Sequence, residues 1–231
     1  MQNISGVKIL ELVKLQHSLN QEIISENYHL EFDIDLFRTA IMRELGEMVD
    51  YIGWEWWKNS KVNIQQAQLE LVDVLHFYIS FLIRENFLIT IGNNSDYQNN
   101  DEFLLSIASE LEIGFKKYLH YSQHDNLPNI FSSVLEFSRE YSPKYFAYMC
   151  LSLNMDFDLL YWLYKGKNIL NRFRKDNGYK EGTYKKIWDG EEDNVYLYHY
   201  IKDCLDNDIE ITEAGITEHL DDNYQLNNLP V

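Results

Sequence analysis

The stretch from about Ile64 to Glu85 constrains this chain most. Leu71, Val72, Leu75, Ile79 and Leu82 form one apolar stripe at helical spacing, and Val74, Phe77 and Phe81 line the opposite side. A helix apolar nearly all round has to be covered by other helices. Yet this one carries Glu70 and Asp73, three residues apart, on the side of Val74 and Phe77. Asn63 before it is an N-cap signal, with Gln66 three residues on as a variant of the capping box.

A second acidic pair at the same spacing lies just upstream. Phe37, Ile41, Leu45, Met48 and Ile52 recur at four- and three-residue steps and predict another helix. Glu44 falls at the edge of that stripe, and Glu47 lies about 60° further round. Four carboxylates bordering a helix–helix contact cannot all stay ionised without compensation, because burying an isolated charge costs several kcal/mol or forces protonation. Hard divalent cations held by oxygen ligands, Mg²⁺ or Mn²⁺, answer that need. One such pair alone reads as a solvated helix face. Two, one of them on a helix with little polar surface, favour metal.

The remaining periodicities are helical too, and with three prolines in 231 residues they predict an all-α protein. A first helix over 5–26 has Ile9, Leu12, Leu15, Leu19 and Ile23 as its core stripe. Gln16 and Asn20 sit one turn apart on it. As isolated features they read as surface polars; functionally, side-chain amides can recognise a nucleobase. Residues 27–36 link this helix to the acidic one. Trp54, Trp56 and Trp57, followed by Lys58, crowd the short connection between the acidic helices. Core anchoring accounts for one or two of them, and a stacking wall for a planar ligand accounts for three.

Beyond Glu85, the polar stretch 92–101 is the expected internal boundary. Helices follow over 102–121, 129–140 and from Ser142–Pro143 to about Leu153, with a break at His124–Pro128. This middle third carries no chemistry and reads as scaffold, lid or dimer surface. A longer helix is expected from near Asp156 to Lys175, with Gly178 as its stop signal, then shorter ones over Val195–Leu205 and Glu213–Leu220.

Lys165–Lys186 holds eight Lys or Arg against two acids, in a chain of net charge −17. Lys167, Asn171 and Arg174 share one helix face there. A basic island in an acidic protein suggests an anion site. Favourable helix-end charge and pairing with the surplus acids account for Arg174 and Lys175, but not for Lys180, Lys185 and Lys186. The net charge argues against broad nucleic-acid or anionic-membrane binding. No apolar run approaches the roughly 20 residues of a membrane span. The N-terminus lacks a basic n-region and cleavage site, so no secretory leader is expected. Cys150 and Cys204 have no metal-ligand spacing and suggest a reducing cytoplasm. Phosphate loops of the GxxxxGK[ST] type, GxGxxG and GxSxG are absent.

Taken together, ELGEMVD, WEWWKN, ELVDVLHF and GKNILNRFRKDNGYKEGTYKKIWDGEEDN resemble the dimeric, all-α dUTPases of the all-α NTP pyrophosphatase superfamily, over roughly residues 8–194. The resemblance implies one all-α helical bundle around a buried acidic helix pair. Residues 1–91 and 154–194 carry the site, 92–153 serve as scaffold or lid, and a helical subdomain closes on substrate. It implies Mg²⁺ carboxylates at Glu44, Glu47, Glu70 and Asp73, with Glu47 also orienting or deprotonating the attacking water. It implies a uracil pocket at Gln16, Asn20 and Trp57, and phosphate contacts at Lys58, Lys167, Asn171, Arg174, Asn177, Tyr184 and Lys185. The expected activity is hydrolysis of dUTP to dUMP and pyrophosphate by water attack at the α-phosphorus, with dUDP a further substrate to test, by a cytoplasmic homodimer. Arg174→Ala is expected to weaken triphosphate binding and leave the fold intact. His76 reads as a satisfied core histidine. Trp56 departs from the smaller or more polar residue expected there.

Three rivals stand beside this reading. A relative cleaving dCTP or a non-canonical NTP differs only in the base pocket. A redox di-metal bundle needs two Glu-x-x-His pairs, and only Asp73–His76 has a related form. A non-enzymatic acidic interaction protein fits the charge but leaves the interior acids and the basic island unexplained.

Overall fold

The computed structural model describes residues 4–92, 100–121 and 129–228. The chain is all-α, with ten helices and one two-stranded hairpin among the described residues. It divides into two compact units, Met1–Phe157 and Asp158–Val231. Most of the polar stretch expected as an internal boundary, and the break expected at His124–Pro128, lie outside the described residues.

The first unit holds α1 (Gly6–Ile23), α2 (Tyr28–Glu31), α3 (Ile34–Tyr51), α4 (Ile64–Gly92), α5 (Asn100–Tyr121), α6 (Ile130–Glu140) and α7 (Pro143–Ser152). Helix α4 is its axis. Leu69, Leu71, Val72, Val74, Leu75, Ile79 and Ile83 are all buried, on more than one side of the helix. It runs beyond the expected Glu85 because no helix breaker occurs before Gly92. Asn63 caps it as the sequence indicates, its Oδ1 accepting from Gln66 N–H at 3.2 Å. The Asn63 N–H goes to the Tyr51 carbonyl at 2.8 Å, where a capping box would have used the Gln66 side chain. That bond ties the start of α4 to the end of α3 and sets the register of the pair, which packs along its length.

Aromatic side chains cover α4 from the other side. Tyr78 meets Phe137 and Phe146 at centroid distances of 5.0 and 6.3 Å, and Phe81 meets Tyr141 at 4.7 Å. Gln68 Nε2 donates to the Leu153 carbonyl at 2.7 Å. Helices α6 and α7 thereby hold α4 in place. Pro143 fills the first position of α7, where its missing N–H costs nothing.

The second unit holds α8 (Phe157–Asp176, whose first residue closes the first unit), β1 (Ile187–Trp188), β2 (Glu191–Glu192), α9 (Asp193–Asp206) and α10 (Glu213–Asn228). Gly178 ends α8 at φ +89, with Tyr179 N–H bonding Arg174 O and Gly178 N–H bonding Lys175 O, a Schellman cap. Asp189 and Gly190, both at positive φ, turn the hairpin. Trp188 is fully buried among Phe173, Tyr196 and Tyr224.

Candidate functional site

Three of the four expected metal carboxylates come together. Glu44 and Glu47 from α3 and Glu70 from α4 each offer an oxygen within 4.8 Å of the others. The register explains which acids meet. Glu44 and Glu70 each lie seven residues from the Tyr51–Asn63 bond, so they face one another across the antiparallel pair. Asp73 stands a further turn along α4, with a side chain one methylene shorter than glutamate, and falls outside the group. Glu44 and Glu70 are each 9% exposed, while Glu47 sits at the rim. There Arg43 Nε donates to Glu47 Oε1 at 2.8 Å. The Arg43 guanidinium is held above its usual range, first by this hydrogen bond and then by the charges of Glu47, Glu44 and Glu70. An all-oxygen, mostly buried donor set of this kind suits Mg²⁺ or Mn²⁺.

Gln16 and Asn20 are not surface polars. They are 3% and 2% exposed and face α4. Gln16 Nε2 donates to Asn20 Oδ1 and Ser80 Oγ, and Asn20 Nδ2 donates to Ser80 Oγ. His76 Nδ1 lies 2.6 Å from Gln16 Oε1, which makes it a partnered core histidine. Ser80 has a signal in the sequence, since Asp73, His76 and Ser80 fall on one side of the apolar middle of α4, between Leu71 and Ile83.

No tryptophan of the α3–α4 connection anchors the core. Trp54, Trp56 and Trp57 are 40%, 86% and 57% exposed and pack edge to face on one another. Beside them a cavity of about 420 Å³ is lined by Asp50, Glu55, Lys58 and Ser60, among others. Lys58 is engaged there with Glu55 at 2.6 Å.

In the second unit the basic island is largely paired. Arg174 makes a two-pronged contact with Asp193, Nε to Oδ2 at 2.8 Å and Nη2 to Oδ1 at 2.6 Å. Its Nη1 reaches Asn171 Oδ1 at 3.4 Å. Tyr184 donates its one hydroxyl proton to Asp193 at 2.8 Å, and burial followed by the Asp193 charge pushes that hydroxyl well up. Lys165 pairs with Glu213, and Lys186, which helix-end effects did not explain, pairs with Glu192. Lys167 is buried, Asn177 Nδ2 bonds back to Phe173 O, and Lys185 is exposed. Asp193 went unread in the sequence. Its cue is an acid at the start of a helix, separated by two residues from the Asp189-Gly190 turn. Its full burial weighs against one expectation, because Arg174→Ala would strand a buried carboxylate and so be expected to destabilise the fold as well as weaken triphosphate binding.

Residues 8–179 match a family model described as dUTPase. The match covers the three gathered carboxylates, Gln16, Asn20, Trp57, Arg174 and Asn177, and ends before Tyr184, Lys185 and Asp193. No curated protein matches the chain.

Proposed function

The chain belongs to the dUTPase family, and from that premise we propose that it is a Mg²⁺-dependent dUTP diphosphatase, working as a homodimer and releasing dUMP and pyrophosphate. One observation carries the metal-dependent part of the reading: two nearly buried glutamates and a rim glutamate converge within 4.8 Å, inside the matched residues. Bound Mg²⁺, or Mn²⁺ in its place, would lower the pKa of a coordinated water and neutralise charge developing on the phosphate oxygens.

The chain's own residues divide the remaining work. Glu44, Glu47 and Glu70 would hold the cation, with Asp73 as a further ligand in the reading. Glu47, which accepts a hydrogen bond from Arg43, also orients the attacking water and takes its proton. Gln16 and Asn20 read the base, and Trp57 stacks on it. Lys58, Lys167, Asn171, Arg174, Asn177 and Lys185 are assigned to phosphate oxygens on the resemblance. Tyr184 serves instead as a brace on Asp193, since its only proton is committed there.

The test is pyrophosphate release by metal-stripped protein, offered dUTP, dCTP, dTTP and UTP with and without Mg²⁺. Release from dUTP that appears only on adding Mg²⁺ is expected. Release from dCTP instead would keep the metal chemistry and overturn the substrate. No release from any nucleotide would sink the hydrolase reading.

A further inference from the structure

Ser80 lies inside α4, fully buried, and its hydroxyl has one proton to give. That proton goes to the His76 carbonyl, four residues back, at 2.8 Å. Towards α1 the Ser80 oxygen is therefore an acceptor only. It takes the Asn20 amide at 2.8 Å and the Gln16 amide at 3.1 Å. Both amides must turn their NH₂ groups to Ser80. Gln16 is held at its other end as well, because Oε1 can only accept and His76 must therefore donate from Nδ1. The second Gln16 N–H lies on Asn20 Oδ1 at 2.9 Å. Asn20 is left with one N–H and one oxygen lone pair, and their order in space is fixed by Ser80.

We propose that Ser80 is a positioning residue that sets base specificity, by locking the Asn20 amide in one of its two orientations. The proposal rests on the reading that Asn20 meets a pyrimidine. Uracil presents an acceptor, O4, beside a donor, N3–H; cytosine presents a donor, the N4 amino group, beside an acceptor, N3. These edges require opposite orientations of the same amide. Turning Asn20 over for cytosine would set its oxygen against the lone pairs of Ser80, and its NH₂ against that of Gln16.

The test compares wild type, Ser80→Ala and Ser80→Thr by the ratio of kcat/KM for dUTP to that for dCTP, with a thermal melt of each. Ser80→Ala is expected to lower the ratio about tenfold, the value of one hydrogen bond to a correctly placed group. Ser80→Thr keeps a hydroxyl that can bond the same carbonyl, and is expected to keep the ratio. Ser80→Cys, close in size but a weak hydrogen-bonding group, is expected to behave like Ser80→Ala and serves if that variant does not fold. An unchanged ratio in the Ala or Cys variant, with dUTP still hydrolysed, overturns the proposal alone. So does an equal loss in Ser80→Thr, which would mark the effect as packing. A wild type that releases pyrophosphate from neither nucleotide fails the diphosphatase reading and takes this proposal with it.

Discussion

Asp193 and Glu47 are both carboxylates paired with arginine, and burial separates what each does. Asp193 is fully buried, and removing Arg174 would leave it uncompensated. Losing one partner of a buried pair costs about 3–5 kcal/mol. Arg174→Ala is expected to lower the unfolding free energy in urea by that much, and Arg174→Ala/Asp193→Ala to recover part of it. A loss below about 1 kcal/mol would show that the pair is not what holds this corner. Glu47 is the opposite case. Its partner Arg43 is exposed, and such pairs contribute little to stability. Glu47→Gln is expected to leave the melting temperature unchanged and to abolish pyrophosphate release. Retained release would remove Glu47 from the mechanism.

Two glycines in helices show how element packing decides a substitution. A Cβ on Gly46, within α3, would meet nothing within 4 Å. Gly46→Ala is expected to stabilise by about 0.5–1 kcal/mol, because alanine loses less backbone entropy in a helix. A Cβ on Gly114 in α5 would stand 2.3 Å from Pro143 Cβ, where α5 and α7 pack together. Gly114→Ala is expected to cost about 1–3 kcal/mol as the helices are forced apart. Chemical denaturation of the two variants should give shifts of opposite sign. The same distinction explains what was legible in the sequence. Periodicity placed α3, α4 and α8, and Asn63 and Gly178 marked one end each of α4 and α8, because those are local signals. Which acids face each other was not local. It depends on the Tyr51–Asn63 bond, so Asp73 looked equivalent to Glu70, yet only Glu70 joins Glu44 and Glu47 within 4.8 Å. The Ser80 hydrogen bonds to Gln16 and Asn20 and the Asp193–Arg174 pair are likewise long-range, and no spacing rule reports them.

Across the whole molecule, charge acts through the histidines as well as through the surplus of acids. His17 of α1 lies 5.8 Å, ring to ring, from His29 of α2, and its Nδ1 is 2.9 Å from the Tyr28 hydroxyl. His29 also meets Phe87 of α4, and Arg84 of α4 donates to its carbonyl at 2.8 Å. Burial lowers the pKa of both imidazoles, helped at His17 by the charge of His29 and at His29 by that of Arg84. His219 is lowered by burial too. Between these lowered values and the unfolded value of about 6.5, the unfolded chain binds more protons than the folded one. Stability therefore rises with pH across that window, and is lost as pH falls below about 6.5. Glu85 and Glu110 act in the other sense, since burial raises their pKa values and protonation favours the fold. Melts recorded from about pH 7.5 down to about pH 5.5 should show a falling midpoint. In His17→Gln/His29→Gln the slope should flatten, because two of the groups that take up protons on unfolding are gone. An equally steep slope in that variant would move the effect to His219, because the net charge of −17 acts the other way: it shrinks as pH falls, and its self-repulsion with it. The net charge is separable by salt, which screens it more than it affects the partly buried imidazoles.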